Sequence, residues 1–330
     1  MPKLVVILVY DDVQILDVTG PAAVFAAAND ACASPHYDVR IVSPAGGPVK
    51  SSSAAVLMSD ALAGVAAEDV AVLLVAGGDE DALLKLAEQP ELRSWMERAH
   101  QGAARFGSVC TGALLLARLG LLAGRKVATH WSACAWLAQH FPEVRVDSEA
   151  LYVEDGRIWT SAGVTTGIDM CLAMVEYDLG ASAANRIAER LVLYARRPGY
   201  QSQFSPMLRL QSRAGAPFSD LIEWMAAHLD EPLDVPQLAS RMAMSERSFY
   251  RRFTDAVGET PARMVETLRL DRARELLATP ASLKQIAAQA GFGTAGRLSK
   301  AFERRFGVSP QLFRETRSRE TRRRPEEREA

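Results

Sequence analysis

Residues 244–261, MSERSFYRRFTDAVGETP, and residues 293–310, GTAGRLSKAFERRFGVSP, are two copies of one pattern. Phe249 and Leu298, Arg251 and Lys300, Phe253 and Phe302, Gly258 and Gly307, and Pro261 and Pro310 each stand 49 positions apart. Two copies are too few to stack into a solenoid, so this stretch folds as two small helical units. In each, apolar residues at i, i+4 and i+8 mark one buried stripe: Phe249, Phe253 and Val257, then Leu298, Phe302 and Phe306. A shorter helix precedes each stripe, DVPQLASRMA (234–243) with Asp234 as its cap and SLKQIAAQAGF (282–292). Met244 makes the first turn and Gly291-Phe292-Gly293 the second, after which Ser245 and Thr294 cap the striped helices.

With the stripes turned inward, Arg247, Tyr250 and Arg251 face away from the core of the first unit. Arg297, Lys300, Arg304 and Arg305 lie on or near the outer side of the second. Two short helices, a tight turn and an exposed basic face on the second helix form the geometry that enters the major groove of double-stranded DNA. Residues 260–279 predict one connecting helix of roughly 28 Å, close to the ~34 Å of one DNA turn, so both units can meet successive grooves. A plain helical bundle with solvated basic faces is the alternative. The charge balance leans toward a polyanionic partner: residues 201–330 carry 22 Lys and Arg against 17 Asp and Glu, whereas residues 1–200 carry 16 against 23.

The first 195 residues follow a different pattern. LVVILVY (4–10), DVRIVS (38–43), VAVLLVAGG (70–78) and RFGSVC (105–110) are β-prone runs of strand length. Helical segments such as GPAAVFAAAND (20–30) and PELRSWMERAHQGA (90–103) separate them. Nearly continuous apolar strands alternating with helices predict an α/β domain, a parallel sheet with helices on both faces. EALYVEDGRIWTSAG (149–163) reads as a hairpin turning at Asp155-Gly156. The expected organisation is therefore an α/β domain over 1–195, a linker over 196–217, an all-α domain with two helix-turn-helix units over 218–316, and a charged, disordered tail over 317–330. No apolar run approaches the ~18 residues of a membrane span. The opening MPKLVVILVY enters a strand with no cleavage site, so a cytoplasmic protein without a membrane partner is expected. Cys32, Cys110, Cys134 and Cys171 are scattered, with no metal-binding spacing, and neither a metal nor a cofactor is expected.

Cys110 stands where a strand-like run meets a helix-like one, a corner suited to a nucleophile or a bound ligand. A helix N-terminus there favours a thiolate. Gly77 and Gly78 end another strand, where glycines let backbone N–H groups approach an anion. Strand carboxyl ends are where open parallel sheets bind ligands. Asp17, Thr111 and His130 can reach the same crevice. Each residue also has a plainer reading: Cys110 as a small buried hydrophobe, Asp17 as a helix cap near Pro21, His130 as a hydrogen-bonded structural residue.

Two resemblances sharpen these readings. RLDRARELL, IAAQAGF and AFERRFGVSPQLFR make residues 218–316 resemble an AraC/XylS-type DNA-binding domain. The resemblance implies that Arg247, Tyr250 and Arg251 face bases or phosphates, with Ala295, Gly296, Arg297 and Lys300 at the matching positions of the second unit. Ala295 and Gly296 depart from the polar residues common there, which implies weaker base readout. QILDVTGPAAVF, CTGALLLARLGLLAGRKVATHW and TSAGVTTGIDM make the first domain similar to the flavodoxin-like superfamily related to class I glutamine amidotransferases, with its Pfp-type proteases and isocyanide hydratases. Pfp-type proteases follow the cysteine with histidine; here Thr111 follows, and the Asp17, Cys110, Thr111 combination is closer to isocyanide hydratase. The fusion resembles GlxA-type transcriptional regulators. That implies a ligand-responsive factor, not an enzyme, whose first domain binds a small amino-acid-like or nitrogenous metabolite and forms a homodimer, and which meets RNA polymerase if it is an activator. A Cys110-dependent hydratase or hydrolase that also binds DNA, and a cysteine redox sensor, are the alternatives.

Overall fold

The computed structural model describes residues 1–194, 196–199, 203, 218–277, 279–306 and 308–315. The chain divides into two compact units, Met1–Gln203 and Phe204–Ala330. The division falls inside the segment 196–217 expected to link two domains. The rest of that segment, and the tail over 317–330, lie outside the described residues.

The first unit is built on an eight-stranded sheet in the order β3-β4-β2-β1-β5-β6-β10-β9. Its centre comprises β1 (Lys3–Leu8), β2 (Tyr37–Ser43), β5 (Val70–Val75), β6 (Arg105–Val109) and β10 (Ile158–Ser161), all pairing in parallel. β4 (Val56–Ala61) extends it in parallel, while β3 (Gly47–Lys50) and β9 (Tyr152–Asp155) close the two edges antiparallel. β9 and β10 are the predicted hairpin. β7 (Lys126–Val127) and β8 (Arg145–Val146) form a separate two-stranded ladder.

Strand β5 shows why the central runs are continuously apolar. Val72 and Leu74 enter one core with α1 (Ile15–Asp30), α6 (Thr166–Leu179) and α7 (Ala181–Arg190). Leu73 and Val75 enter the other, with α2 (Glu80–Leu86), α3 (Pro90–Gly102) and α4 (Ala113–Arg118). Both faces are buried, so every position must be apolar. α5 (Trp131–His140) follows β7. Helix α1 begins five residues earlier than its apolar pattern predicts. Gln14 caps it, accepting from the Leu16 N–H, so Asp17 lies within the first turn and is not the cap.

The second unit is wholly helical among its described residues. Helix α8 (Ser219–Ala227), α9 (Val235–Arg241) and α10 (Glu246–Val257) surround one core with Phe249 and Phe253 at its centre. Helix α12 (Leu283–Gln289) and α13 (Ala295–Phe306) enclose a second around Leu298 and Phe302. Helix α11 (Pro261–Leu276) belongs to both: Met264, Val265 and Leu268 enter the first core, and Leu270, Ala273 and Leu276 the second. Its 16 residues span ~24 Å at 1.5 Å per residue, one turn shorter than predicted. Thr260 caps its start, and Thr279-Pro280 beyond it cannot continue the helix.

Candidate functional site

In the first unit the chain reverses direction across the sheet between β1, whose next strand lies to one side, and β5, on the other. The carboxyl ends of β1, β5 and β6 meet there, and the chain after them supplies Asp17, Gly77-Gly78 and Cys110-Thr111. This is the switch point at which open α/β sheets form crevices. Cys110 sits on a single 3-10 turn between β6 and α4 with φ of 57°, a region that side-chain-bearing residues seldom occupy. Two glycines make room for it. A Cβ on Gly77 would fall 2.6 Å from the Cys110 Cβ, and one on Gly163 would fall 2.2 Å from it.

Asp17 is wholly buried. Its Oδ1 accepts from the Val164 N–H at 2.6 Å. Its Oδ2 faces Cys110 and Gly77 without a hydrogen bond of ordinary geometry. Burial pushes the Asp17 carboxyl up to about 6, against the lowering effect of the Val164 N–H. Burial, and then the negative charge of Asp17, push the Cys110 thiol well above its ordinary range. The thiolate-stabilising helix terminus expected from the sequence is outweighed: the Thr111 N–H lowers the thiol's pKa by less than burial raises it, and α4 is only six residues long. Cys110 at neutral pH is a thiol.

The Gly78 N–H, expected to be available to an anion, donates to the Thr111 hydroxyl at 2.9 Å, and that hydroxyl lies 3.1 Å from the Gly78 carbonyl. Thr111 therefore ties the β5 end to the β6 end. The His130 ring bonds Ser132 at 2.7 Å, and its backbone starts α5. Its link to Cys110 runs through its neighbour Thr129, whose hydroxyl donates to the Cys110 carbonyl at 2.9 Å. The structure thus brings Asp17, Gly77, Gly78, Cys110 and Thr111 together and leaves the His130 ring engaged elsewhere. Sequence reasoning missed Tyr10, Gly163 and Val164. Tyr10 is buried beside the site, and burial, then Asp17, raise its phenol. The signal for Gly163-Val164 was their place where the predicted hairpin ends, in TSAGVTTG. Among the described residues, no cluster of His, Cys, Asp and Glu is arranged to hold a metal ion.

The Asp17 carboxyl gives the first unit a pH signature. Its pKa is about 6 in the fold against 3.8 ordinarily, so protonated Asp17 favours folding and the advantage is lost as pH rises through 6. His36, His100 and His130, each held low by burial, act in the opposite direction over the same window. Comparison with Asp17→Asn isolates the carboxyl. Between pH 5 and pH 8 wild type is expected to lose about 1–1.5 kcal/mol relative to the variant. Urea titrations of both proteins at the two pH values measure this, and a pH-independent difference would contradict it.

In the second unit, Ser245 accepts from the Ser248 N–H and Gly258 ends α10 in the left-handed conformation. The turn before α10 spans Met242 to Met244, with Ala243 at φ of 52°. Arg247, Tyr250 and Arg251 are exposed on α10, opposite the stripe of Phe249, Phe253 and Val257. On α13, Arg297 and Lys300 are exposed, Ala295 is half-buried and Gly296 exposed. Arg304 is exposed but committed: its guanidinium pairs with Glu266 of α11 at 2.5 Å. Helix α10 therefore exposes Arg247, Tyr250 and Arg251 on one side, where α13 exposes Arg297 and Lys300.

The DJ-1/PfpI family model matches residues 3–177, and that of a helix-turn-helix domain matches residues 238–316. The HTH-type transcriptional regulator CdhR of Pseudomonas aeruginosa is 31% identical over 84% of this chain and 82% of its own length. The HTH-type transcriptional regulator GlxA of Rhizobium meliloti is 29% identical over 87% of this chain and 88% of its own. Among solved structures, a ThiJ/PfpI family protein from Pseudomonas syringae matches with a TM-score of 0.53 at 27% identity, covering 74% of this chain and 91% of that one. No helix among the described residues is long and apolar enough to cross a membrane.

Proposed function

The chain belongs to the DJ-1/PfpI family, extended by a helix-turn-helix domain, and from that premise we propose that its first domain senses a small metabolite while its second reads DNA. It is a DNA-binding transcriptional regulator, like the relatives that span both of its halves. The observation that carries the DNA half is the pair of capped helix-turn-helix units joined by α11, each with exposed basic residues on its second helix. Arg247, Tyr250 and Arg251 supply base and phosphate contacts, and Arg297 and Lys300 anchor the second unit to phosphates. Arg304 contributes field more than contact while it holds Glu266.

The sensing half rests on the switch-point crevice. Asp17 and Cys110 face one another there, enclosed by Gly77, Gly163 and the Thr111–Gly78 bond. A neutral thiol favours binding over turnover, because nucleophilic catalysis and redox sensing both require a thiolate. The ligand is a small amino-acid-like or nitrogenous metabolite that exchanges hydrogen bonds with Asp17, and the first domain forms the homodimer. Regulation requires that the ligand bind two arrangements of the protein with different affinity.

Fluorescence anisotropy of the purified chain tests the DNA half, using fragments from upstream of its own and neighbouring genes against random DNA over a salt series. The expected result is one fragment bound ~10³-fold or more above random DNA. Equal, steeply salt-dependent binding to every fragment would reduce the protein to phosphate contact and overturn the reading.

A further inference from the structure

Residues 196–199 and Gln203 are fastened to the first unit. Arg196 pairs with Glu176 and donates to Asn185 at 2.9 Å. Arg197 binds the buried Asp169 through its backbone N–H at 3.0 Å and its guanidinium at 2.7 Å, and reaches the Thr165 hydroxyl at 2.8 Å. The Gly199 carbonyl accepts from the Leu151 N–H at 2.7 Å. Gln203 donates its side-chain amide to the carbonyls of Thr129 and Ala150, both at 3.0 Å.

Two of these anchors adjoin the crevice. Thr165 follows Val164, whose N–H is held by Asp17, and Gly163 before it packs on Cys110. Thr129, which receives Gln203, donates to the Cys110 carbonyl. Val164 has φ of 50°, unusual for a β-branched residue and costly to maintain. Asp17 holds the loop at the Val164 N–H, and Thr166 holds it at Gly163, its Oγ1 on the N–H and the carbonyl and its backbone N–H on the same carbonyl.

We infer that the loop 163–166 is a two-ended coupling element, tying occupancy of the Asp17–Cys110 crevice to the fastening of Arg197 on the first unit. A ligand that takes the Asp17 oxygen from the Val164 N–H frees the loop at one end and loosens the Arg197 anchor at the other. The inference rests on the reading of the crevice as the sensing site. Coupling of this kind is reciprocal, so weakening the Arg197 end must open the Cys110 end, and no ligand is needed to see it.

The experiment uses the full chain without DNA. Hydrogen exchange is followed in peptides covering 149–152 and 196–203, and iodoacetamide alkylation of Cys110 by peptide mass spectrometry. Arg197→Lys keeps the charge on Asp169 but loses the planar fork that also reaches Thr165. It is expected to accelerate exchange in 196–203 and to raise the Cys110 alkylation rate by about fivefold or more. Thr165→Val, an exposed substitution that leaves Arg197 on Asp169, is expected to raise the alkylation rate likewise. Asn185→Ala, which removes an anchor remote from the loop, is expected to loosen 196–203 and leave Cys110 unchanged. Wild-type alkylation in both Arg197→Lys and Thr165→Val would overturn the inference, as would an equal effect from Asn185→Ala. These rates are read without an operator, so their failure leaves DNA recognition standing, and a loss of operator selectivity would leave the coupling standing.

Discussion

Replacing Arg247 and Arg251 together by alanine is expected to lower affinity for the operator by about 30-fold or more, with little change in melting temperature. The two residues are four apart on the exposed side of α10 and take no part in the stripe that packs the core. Each well-formed arginine contact to a base is worth about 1–3 kcal/mol, so the pair carries at least ~2 kcal/mol of discrimination. Lys300→Ala is expected to behave differently, weakening operator and random DNA alike and reducing the salt slope by about 1, as loss of a phosphate contact does. Anisotropy on both DNAs at several salt concentrations separates the two patterns. If the double substitution on α10 weakened operator and random DNA equally, base readout would not lie on α10.

Gly163→Ala is expected to damage the first domain severely, by about 3 kcal/mol or more, out of the ~5–15 kcal/mol that stabilises an ordinary domain. The new Cβ would lie 2.2 Å from the Cys110 Cβ, 2.6 Å from its Cα and 2.7 Å from its Sγ, and residue 163 has φ of 97°. Cys110 has little freedom to withdraw, because its own backbone is already left-handed and Gly77 closes the other side. Gly296→Ala is the counterpart. Nothing lies within 4 Å of the added methyl, and residue 296 is within α13. Alanine there is expected to stabilise the second unit by up to ~1 kcal/mol. Chemical denaturation of the full chain, followed by circular dichroism, reads both effects, and a Gly163→Ala protein as stable as wild type would mean that the elbow tolerates a wider Cys110 pocket.

The pairing of Arg304 with Glu266 qualifies one expectation about the DNA face. On helix periodicity Arg304 reads as part of the basic surface, and it is exposed. Its partner is 38 residues away on α11, a proximity created only when α13 packs beside the connector. An exposed pair of this kind is worth roughly 0–1 kcal/mol, so DNA can compete for the guanidinium. Arg304 is nevertheless less available at first encounter than Arg297 or Lys300.

Periodicity determined the architecture. The 49-residue offset between two phenylalanine-rich stripes specifies two helical units, because a stripe at i, i+4 and i+8 has only one way to become buried. The unbroken apolar runs specify a parallel sheet covered on both faces, because any polar residue there would lose its water. Cys110 at a strand-to-helix corner was equally legible, since strand and helix patterns meet at that residue. Local pattern does not encode the partners that charged and polar groups acquire from distant parts of the chain. Asp17 meets the Val164 N–H across 147 positions, Thr111 meets Gly78 across 33, and Arg197 meets Asp169 across 28. The protonation of Asp17 and Cys110 follows from how much water the folded domain removes from around them. Sequence by itself therefore determined which halves the chain has and which faces they bury. Only the tertiary structure decided that burial and the Asp17 charge push the Cys110 thiol up and that Arg197 and Gln203 are fastened to the loops beside it, because desolvation and long-range hydrogen bonding exist only once the domain has folded.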